Sequence, residues 1–178
     1  MAAVTARYAR AFADAVFNLK MDAVQAQNDV SQFASMVSTS PELRSLMDNP
    51  AVPLAQKLNL IDALVATTGA SKQVRNFIAI LVEKRRLRLL TEIAAQLKAE
   101  INDRLGVAEA EVASARELSA EERSLLEERL KKVTGKMIRA AYERDPGVIG
   151  GAKVRVGSTI YDGSVRGQLR KLRETLAE

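Results

Sequence analysis

The 178-residue chain is 47% hydrophobic and 28% charged but only 4% aromatic, with a net charge of +5 and no histidine, cysteine or tryptophan. That excludes a disulfide framework, a thiolate metal site, a cysteine nucleophile and histidine base chemistry, so an enzyme would have only Asp, Glu, Lys, Tyr or Ser to work with. The positive excess is mild and evenly spread, which describes a solvated surface, and no run approaches the roughly 20 apolar residues of a membrane span.

Residues 4–19 predict an amphipathic helix with Val4, Tyr8, Phe12, Ala15 and Leu19 on its core stripe. The same opening lacks the apolar block of a secretory signal. A second helix is expected over about 21–38, with Ala26, Val30, Phe33 and Val37 inward. Ser40-Pro41 reads as an N-cap followed by proline at the first helical position, opening a short helix with Leu43, Leu46 and Met47. Pro50 and Pro53 break the chain, and Pro53 starts a fourth helix carrying Leu54, Leu58, Ile61 and Val65 that ends at Gly69. Ser71 starts a fifth, in which Val74, Phe77, Ile78, Leu81 and Val82 form a wide apolar sector. Ile80 falls outside that sector. A sixth helix, roughly 87–105, carries Leu90, Ile93, Leu97, Ile101 and Leu105 and stops at Gly106. Six helices joined by short turns predict an all-helical bundle.

The texture changes at Leu105–Gly106, which sets the expected boundary between a domain at 1–105 and a second at 106–178. VAEAEVASA alternates as a half-exposed strand, and Ser119-Ala-Glu-Glu122 is a capping box opening a helix with Leu125, Leu126, Leu130 and Val133 inside. Strands are expected at 136–143, 148–156 and 159–162, with a tight turn at Gly157-Ser158. Gly163-Ser164 is expected to cap a final helix carrying Val165, Leu169, Leu172 and Leu176. The fold class is therefore mainly α, an N-terminal six-helix bundle followed by a small α+β domain.

Gly150 and Gly151 raise the question of a phosphate cradle. Such a loop needs glycines between a strand and a helix N-terminus, and here they fall inside an alternating run. The Lys-Ser/Thr pair of a P-loop is also absent, and VTGKM at 133–137 lacks the first glycine and the hydroxyl. A glycine pair in a strand instead marks a bulge or the close approach of another backbone. Asp162 and Ser164 are placed to accept from free amides at the following helix start.

The segment GVIGGAKVRVGSTIYDGSVRGQLRKL resembles the C-terminal signature of the delta subunits of F-type ATP synthases, the family of the mitochondrial oligomycin sensitivity-conferring protein. It is carried by Gly150, Gly151, Gly157, Asp162, Gly163 and Ser164, with Leu169 and Leu172. ARYARAFADAVF, NPAVPLAQKLNLI and FIAILVEKRRLRLL resemble the family's opening and middle, although Thr91 stands where the family often has proline. The resemblance implies a non-catalytic connector without cofactor or metal, on the cytoplasmic face of the bacterial cell membrane but not inserted in it. Its implied partners are the alpha subunits of the catalytic head, secondarily the beta subunits, and the b subunits of the peripheral stalk. It further implies that the N-terminal domain receives an alpha-subunit N-terminal helix between its first and fifth helices. The candidate lining is Tyr8, Ala11, Ala15, Phe77 and Ile80; bundle core is the competing reading for Tyr8 and Phe77. Arg166, Arg170, Lys171 and Arg173 are candidate stalk contacts, against the reading that they form a solvated helix face. The alternative function is a helical RNA-binding module using EKRRLRLL, which has few stacking aromatics nearby.

Overall fold

Serine, aspartate and proline fix where the helices begin. The computed structural model describes residues 2–148, 150–157 and 159–165. Helix α1 spans Ala2–Asn18 and α2 spans Ala23–Thr39, the latter capped by Asp22, whose carboxylate accepts from the amides of Val24 and Gln25. Helix α3, Pro41–Asp48, starts on Ser40 with Pro41 in its first turn; α4, Leu54–Thr68, starts after Pro53 and closes on left-handed Gly69. Ser71 caps α5, Lys72–Glu83, and a short 3-10 turn at Leu87–Leu89 leads into α6, Leu90–Arg104.

These elements share one apolar core built around Phe12, Phe33, Ile61, Ile78, Leu81, Ile93 and Leu97. The amine of Lys57 is buried beside it: Nζ donates to the carbonyls of Met47 (2.6 Å) and Asn49 (2.8 Å), tying α4 to the end of α3. The core stripe of α1 differs from the expectation. Thr5, Ala9, Phe12, Ala13 and Val16 are buried, whereas Leu19 is 59% exposed and Tyr8 and Ala15 are half-buried. Three further expected apolar-stripe positions, Leu46, Leu54 and Leu105, are exposed as well.

The second part of the chain is built on a four-stranded sheet, ordered β2-β1-β3-β4. Strand β1, Val107–Ser114, pairs in parallel with β2, Met137–Arg144, the two joined by α7, Ala120–Thr134. Strand β3, Ala152–Val156, runs antiparallel to β1 on its other side, and β4, Thr159–Asp162, returns antiparallel to β3. Alternation in β1 places Ala110, Val112 and Ser114 inward, where Ala110 and Val112 meet Leu130 and Val154. Only a narrow stripe of α7 is used, and Leu125 and Val133, expected inside, are exposed. Tyr142 on β2 ties the helix down: its hydroxyl donates to Glu127 (2.7 Å), and the Arg123 guanidinium lies 4.8 Å over its ring. Burial, with the neighbouring Glu127, pushes the phenol up to about 12.

The chain divides into two compact units, residues 1–101 and 102–178. The division falls inside α6. Asn102 Nδ2 donates to Glu109 (3.2 Å), and Lys136 Nζ donates to Asp103 (2.6 Å), so the last turn of α6 is bonded to the sheet-bearing unit.

The start of α7 is doubly capped. Ser119 Oγ accepts from the Glu122 amide, and Glu122 accepts in return from the Ser119 amide at 2.9 Å. Arg116 Nη1 also donates to Glu122, at 2.9 Å. Arg116 first, then the Ser119 amide, holds the Glu122 carboxyl down to about 2. Since the folded value lies below the unfolded one, the stabilisation is fully present above pH 4.5 and is lost as pH falls through 2. A carboxyl NMR titration should place the Glu122 midpoint near 2, and Arg116→Gln should move it back towards ordinary glutamate values. Ser119→Ala should cost about 1 kcal/mol in denaturant unfolding of this unit.

Candidate functional site

Two apolar surfaces come together where α1 meets α5. The phenyl rings of Phe12 and Phe77 stack with centroids 4.3 Å apart. Nearer the amino end of α1, Arg86 Nη1 donates to the Tyr8 hydroxyl (2.8 Å) while its guanidinium carbon lies 5.4 Å from the ring centroid. Tyr8 and Phe12 of α1 thus meet Arg86, which lies just beyond the carboxyl end of α5, and Phe77 within it.

Beside its core stripe α1 carries a second apolar stripe, Val4, Tyr8, Ala11, Ala15 and Leu19, rotated about 100° from the first. Val4, Tyr8 and Ala15 are half-buried, and Ala11 and Leu19 are exposed. Tyr8 of this stripe is held by Arg86, in the turn that follows α5. On α5, Ile80 is 46% exposed and lies about 60° around the helix from Phe77. It opens onto a hollow of about 400 Å³ shared with Leu54 and Leu58 of α4 and Asn76, Ala79 and Glu83 of its own helix. The structure therefore gathers Tyr8, Ala11 and Ala15 on one stripe and leaves Ile80 open to solvent. Phe77 is separate from both: at 6% exposure it is core, stacked beneath the surface.

Sequence periodicity put Leu54 on the apolar stripe of α4, whereas it is exposed beside Ile80, and it missed Arg86, which holds Tyr8 in place. The bidentate pair of Arg75 with Asp62 (2.6 and 2.9 Å) was also missed; it clamps α5 to α4 behind the hollow and holds the Asp62 carboxyl below its usual range. A charge pairing between helices 13 residues apart leaves no local sequence signal.

The glycine-rich segment is a structural device. Gly150 and Gly151 precede β3, because the strand begins at Ala152, so the expected strand over 148–156 is corrected to Ala152–Val156. Gly151 has φ +77°, and a Cβ there would lie 2.5 Å from the Gly163 carbonyl oxygen. The Gly163 amide donates to Ala152 O (3.1 Å) and the Val165 amide to Gly150 O (3.0 Å). The chain leaving β4 thus crosses directly over the glycine pair. Asp162 Oδ1 accepts from both the amide (3.0 Å) and hydroxyl (2.6 Å) of Ser164, fixing that crossing. Gly157 takes φ +58° at the end of β3. Arg166, Arg170, Lys171 and Arg173, the helix expected after Val165, and Ser158 of the expected turn lie outside the described residues. Among the described residues no group of acidic side chains is placed to hold a metal ion, and no helix is long and apolar enough to cross a membrane.

The family model "ATP synthase delta (OSCP) subunit" matches residues 4–176. A protein named ATP synthase subunit delta from Koribacter versatilis (strain Ellin345) is 45% identical over 177 residues, with 99% of each chain covered. The chain belongs to the ATP synthase delta (OSCP) subunit family. A second delta subunit, from Acidobacterium capsulatum, is 35% identical over 99% of both chains. The fold is also similar to a chain in the cryo-EM structure of the Toxoplasma gondii mitochondrial ATP synthase hexamer, with a TM-score of 0.66 at 23% identity, covering 98% of this chain and 97% of that one. As a delta subunit of an F-type ATP synthase the protein is structural, and catalysis belongs to other subunits of the complex. Nothing in these comparisons supports the RNA-binding alternative.

Proposed function

We propose that this delta subunit is the static connector between the catalytic head and the peripheral stalk on the cytoplasmic face of the bacterial cell membrane. Its helical unit, a six-helix bundle, grips an alpha-subunit N-terminal helix, with the beta subunits as neighbours, and its sheet-bearing unit meets the b subunits of the stalk. A connector that resists rotor torque transmits force without chemistry, and it needs buried apolar anchors rather than rim charges. What supports this reading is the incompletely buried second apolar stripe on α1 together with the exposed Ile80 on α5, two helices that meet at the Phe12–Phe77 stack. The alanines at 11 and 15 leave room for a guest helix to approach closely, and Tyr8 and Ile80 supply the walls, the arrangement of helix-in-groove recognition.

The test is Ile80→Asp. Its side chain is exposed, so helix content and unfolding midpoint should stay near wild type, while affinity for the isolated catalytic head falls at least about tenfold because a carboxylate is buried on association. Unchanged affinity would place the grip elsewhere. Crosslinks from the sheet-bearing unit to b subunits, in complexes purified with head and stalk, test the other half of the reading.

A further inference from the structure

The sheet-bearing unit has a thin core. Among the described residues its buried apolar cluster holds only Ala110, Val112, Leu130 and Val154, little for a small unit to stand on. Beside it lies a hollow of about 520 Å³, walled by Leu118, Leu125 and Leu126 on one side and by Gly150 and Gly151 on the other. Leu125 is exposed there, and Val133, two turns further along α7, is exposed as well. At 100° per residue, Leu125, Leu126, Arg129 and Val133 fall within about 100° of one another. Arg123 and Glu127, which hold Tyr142 of the sheet, are centred about 120° round the helix from them. Helix α7 thus has one face on the sheet and a second, largely apolar one left open.

The chain reaches this hollow at a fixed point. The Val165 amide donates to Gly150 O (3.0 Å), and Gly150 is part of the wall. A Cβ on Gly150 would lie 3.2 Å from Val165 Cγ2, so the missing side chain makes room for the valine. Ser164 is buried, with its amide and hydroxyl on Asp162, and at Val165 the chain is already helical. Residues 166–178, outside the described part, continue from here with Leu169, Leu172 and Leu176. Together with Val165 these recur at helical spacing as one apolar stripe. On α7, Leu126, Arg129 and Val133 step by three and then four residues, as Leu169, Leu172 and Leu176 do.

We propose that residues 165–178 form a helix that packs along the open face of α7, parallel to it, and fills the hollow with Leu169 and Leu172. The direction follows from the anchor. Ala152, at the start of β3, pairs with Ser114, the end of β1 from which the chain runs on to α7. Val165 therefore stands at the amino end of α7, and a helix that starts there and lies along α7 runs the same way. Parallel packing on these stripes brings one flank of each helix together. On α7 that flank holds Glu121 and Glu128, both exposed; on the incoming helix it holds Arg166, Arg170 and Arg173. Opposite charges thus line the seam. Arg129, the one polar residue of the α7 stripe, covers apolar surface with its stem and keeps its charge in water. Leu125 and Val133 are the residues this packing takes out of solvent.

The full-length chain has no cysteine, so an introduced pair reports without background. Val133→Cys with Leu176→Cys should close an intramolecular disulfide under mild oxidation at least about tenfold faster than Val133→Cys with Leu169→Cys, whose partners stand about 10 Å apart along the axis, beyond the reach of a disulfide. Leu172→Asp should speed amide exchange of Leu126 and Leu130 at least about tenfold, because a carboxylate would enter the hollow. Glu174→Gln, on the far side of the incoming helix, should leave that exchange within about twofold of wild type. Equal closure of the two cysteine pairs, or unchanged exchange in Leu172→Asp, would overturn the proposal. Protection of Leu126 that appears only when b subunits of the stalk are added would overturn it too, by making a partner the occupant of the hollow.

Discussion

Gly151→Ala unfolds the sheet-bearing unit at markedly lower denaturant than wild type. Two costs add. At φ +77° an L-side chain sits in the left-handed region at about 1 kcal/mol. The larger cost is steric, because the new methyl group would lie 2.5 Å from Gly163 O and 3.3 Å from Ser164 Cα, both backbone positions that no rotamer change can move. Relieving that contact means lifting the chain that crosses the glycine pair, which breaks Gly163 N–Ala152 O and Val165 N–Gly150 O and unseats the buried Ser164. The sum is about 3 kcal/mol or more. Gly157→Ala is the control. It shares a positive φ but would have nothing within 4 Å of its Cβ, so only the conformational cost of about 1 kcal/mol applies. Urea unfolding and amide exchange of Val154 and Val156 would compare the two. Equal losses would show that the crossing at Gly151 does not restrain the sheet.

Phe77→Ala should be among the most damaging single changes in the helical unit, costing about 3–5 kcal/mol. The ring is 6% exposed and stacked on Phe12, so truncation leaves a void in the seam between α1 and α5 and removes an aromatic pair as well. Phe12→Ala should cost a similar amount. The double variant should cost less than the sum of the two, by the roughly 0.5–1.5 kcal/mol that the stack itself contributes. Under the proposed grip such a variant would also bind the head poorly, because its helices have come apart. Set beside Ile80→Asp, which should leave stability intact, it separates a fold defect from a loss of the proposed contact. Additive losses at Phe12 and Phe77 would mean that the rings fill space independently.

Local chemistry was readable wherever a residue acts on its own backbone neighbours. Ser40-Pro41, Ser71, Gly69 and the Ser119–Glu122 box all stand where the sequence places helix ends. The core face of α1 was not readable, because the helix has two apolar stripes. Period alone prefers Val4, Tyr8 and Leu19 to a stripe interrupted by Thr5, yet Thr5 is fully buried. What misleads the periodicity is a surplus of apolar residues that gives α1 a second, incompletely buried stripe. Helix α7 erred in the other direction: Leu125 and Val133 extend its apolar pattern, but a helix resting on a small sheet buries only the narrow line through Leu126 and Leu130. At Gly150–Gly151 the alternating pattern was carried through two residues that have no side chain to alternate, which extended β3 too far. Of the candidate site, the exposure of Ile80 was legible from its misfit with the α5 core sector. The burial of Phe77 and the hold of Arg86 on Tyr8 depend on contacts spanning most of the helical unit and have no local trace.

The central position of β1 carries a consequence for biosynthesis. On a translating ribosome this strand appears well before either of its neighbours, since one follows only after α7 and the other later still. During that interval its bare edges are open to any extended nascent segment nearby. Glu109 and Glu111 place negative charge along the waiting strand, and charge on an open strand disfavours its pairing with a further extended segment.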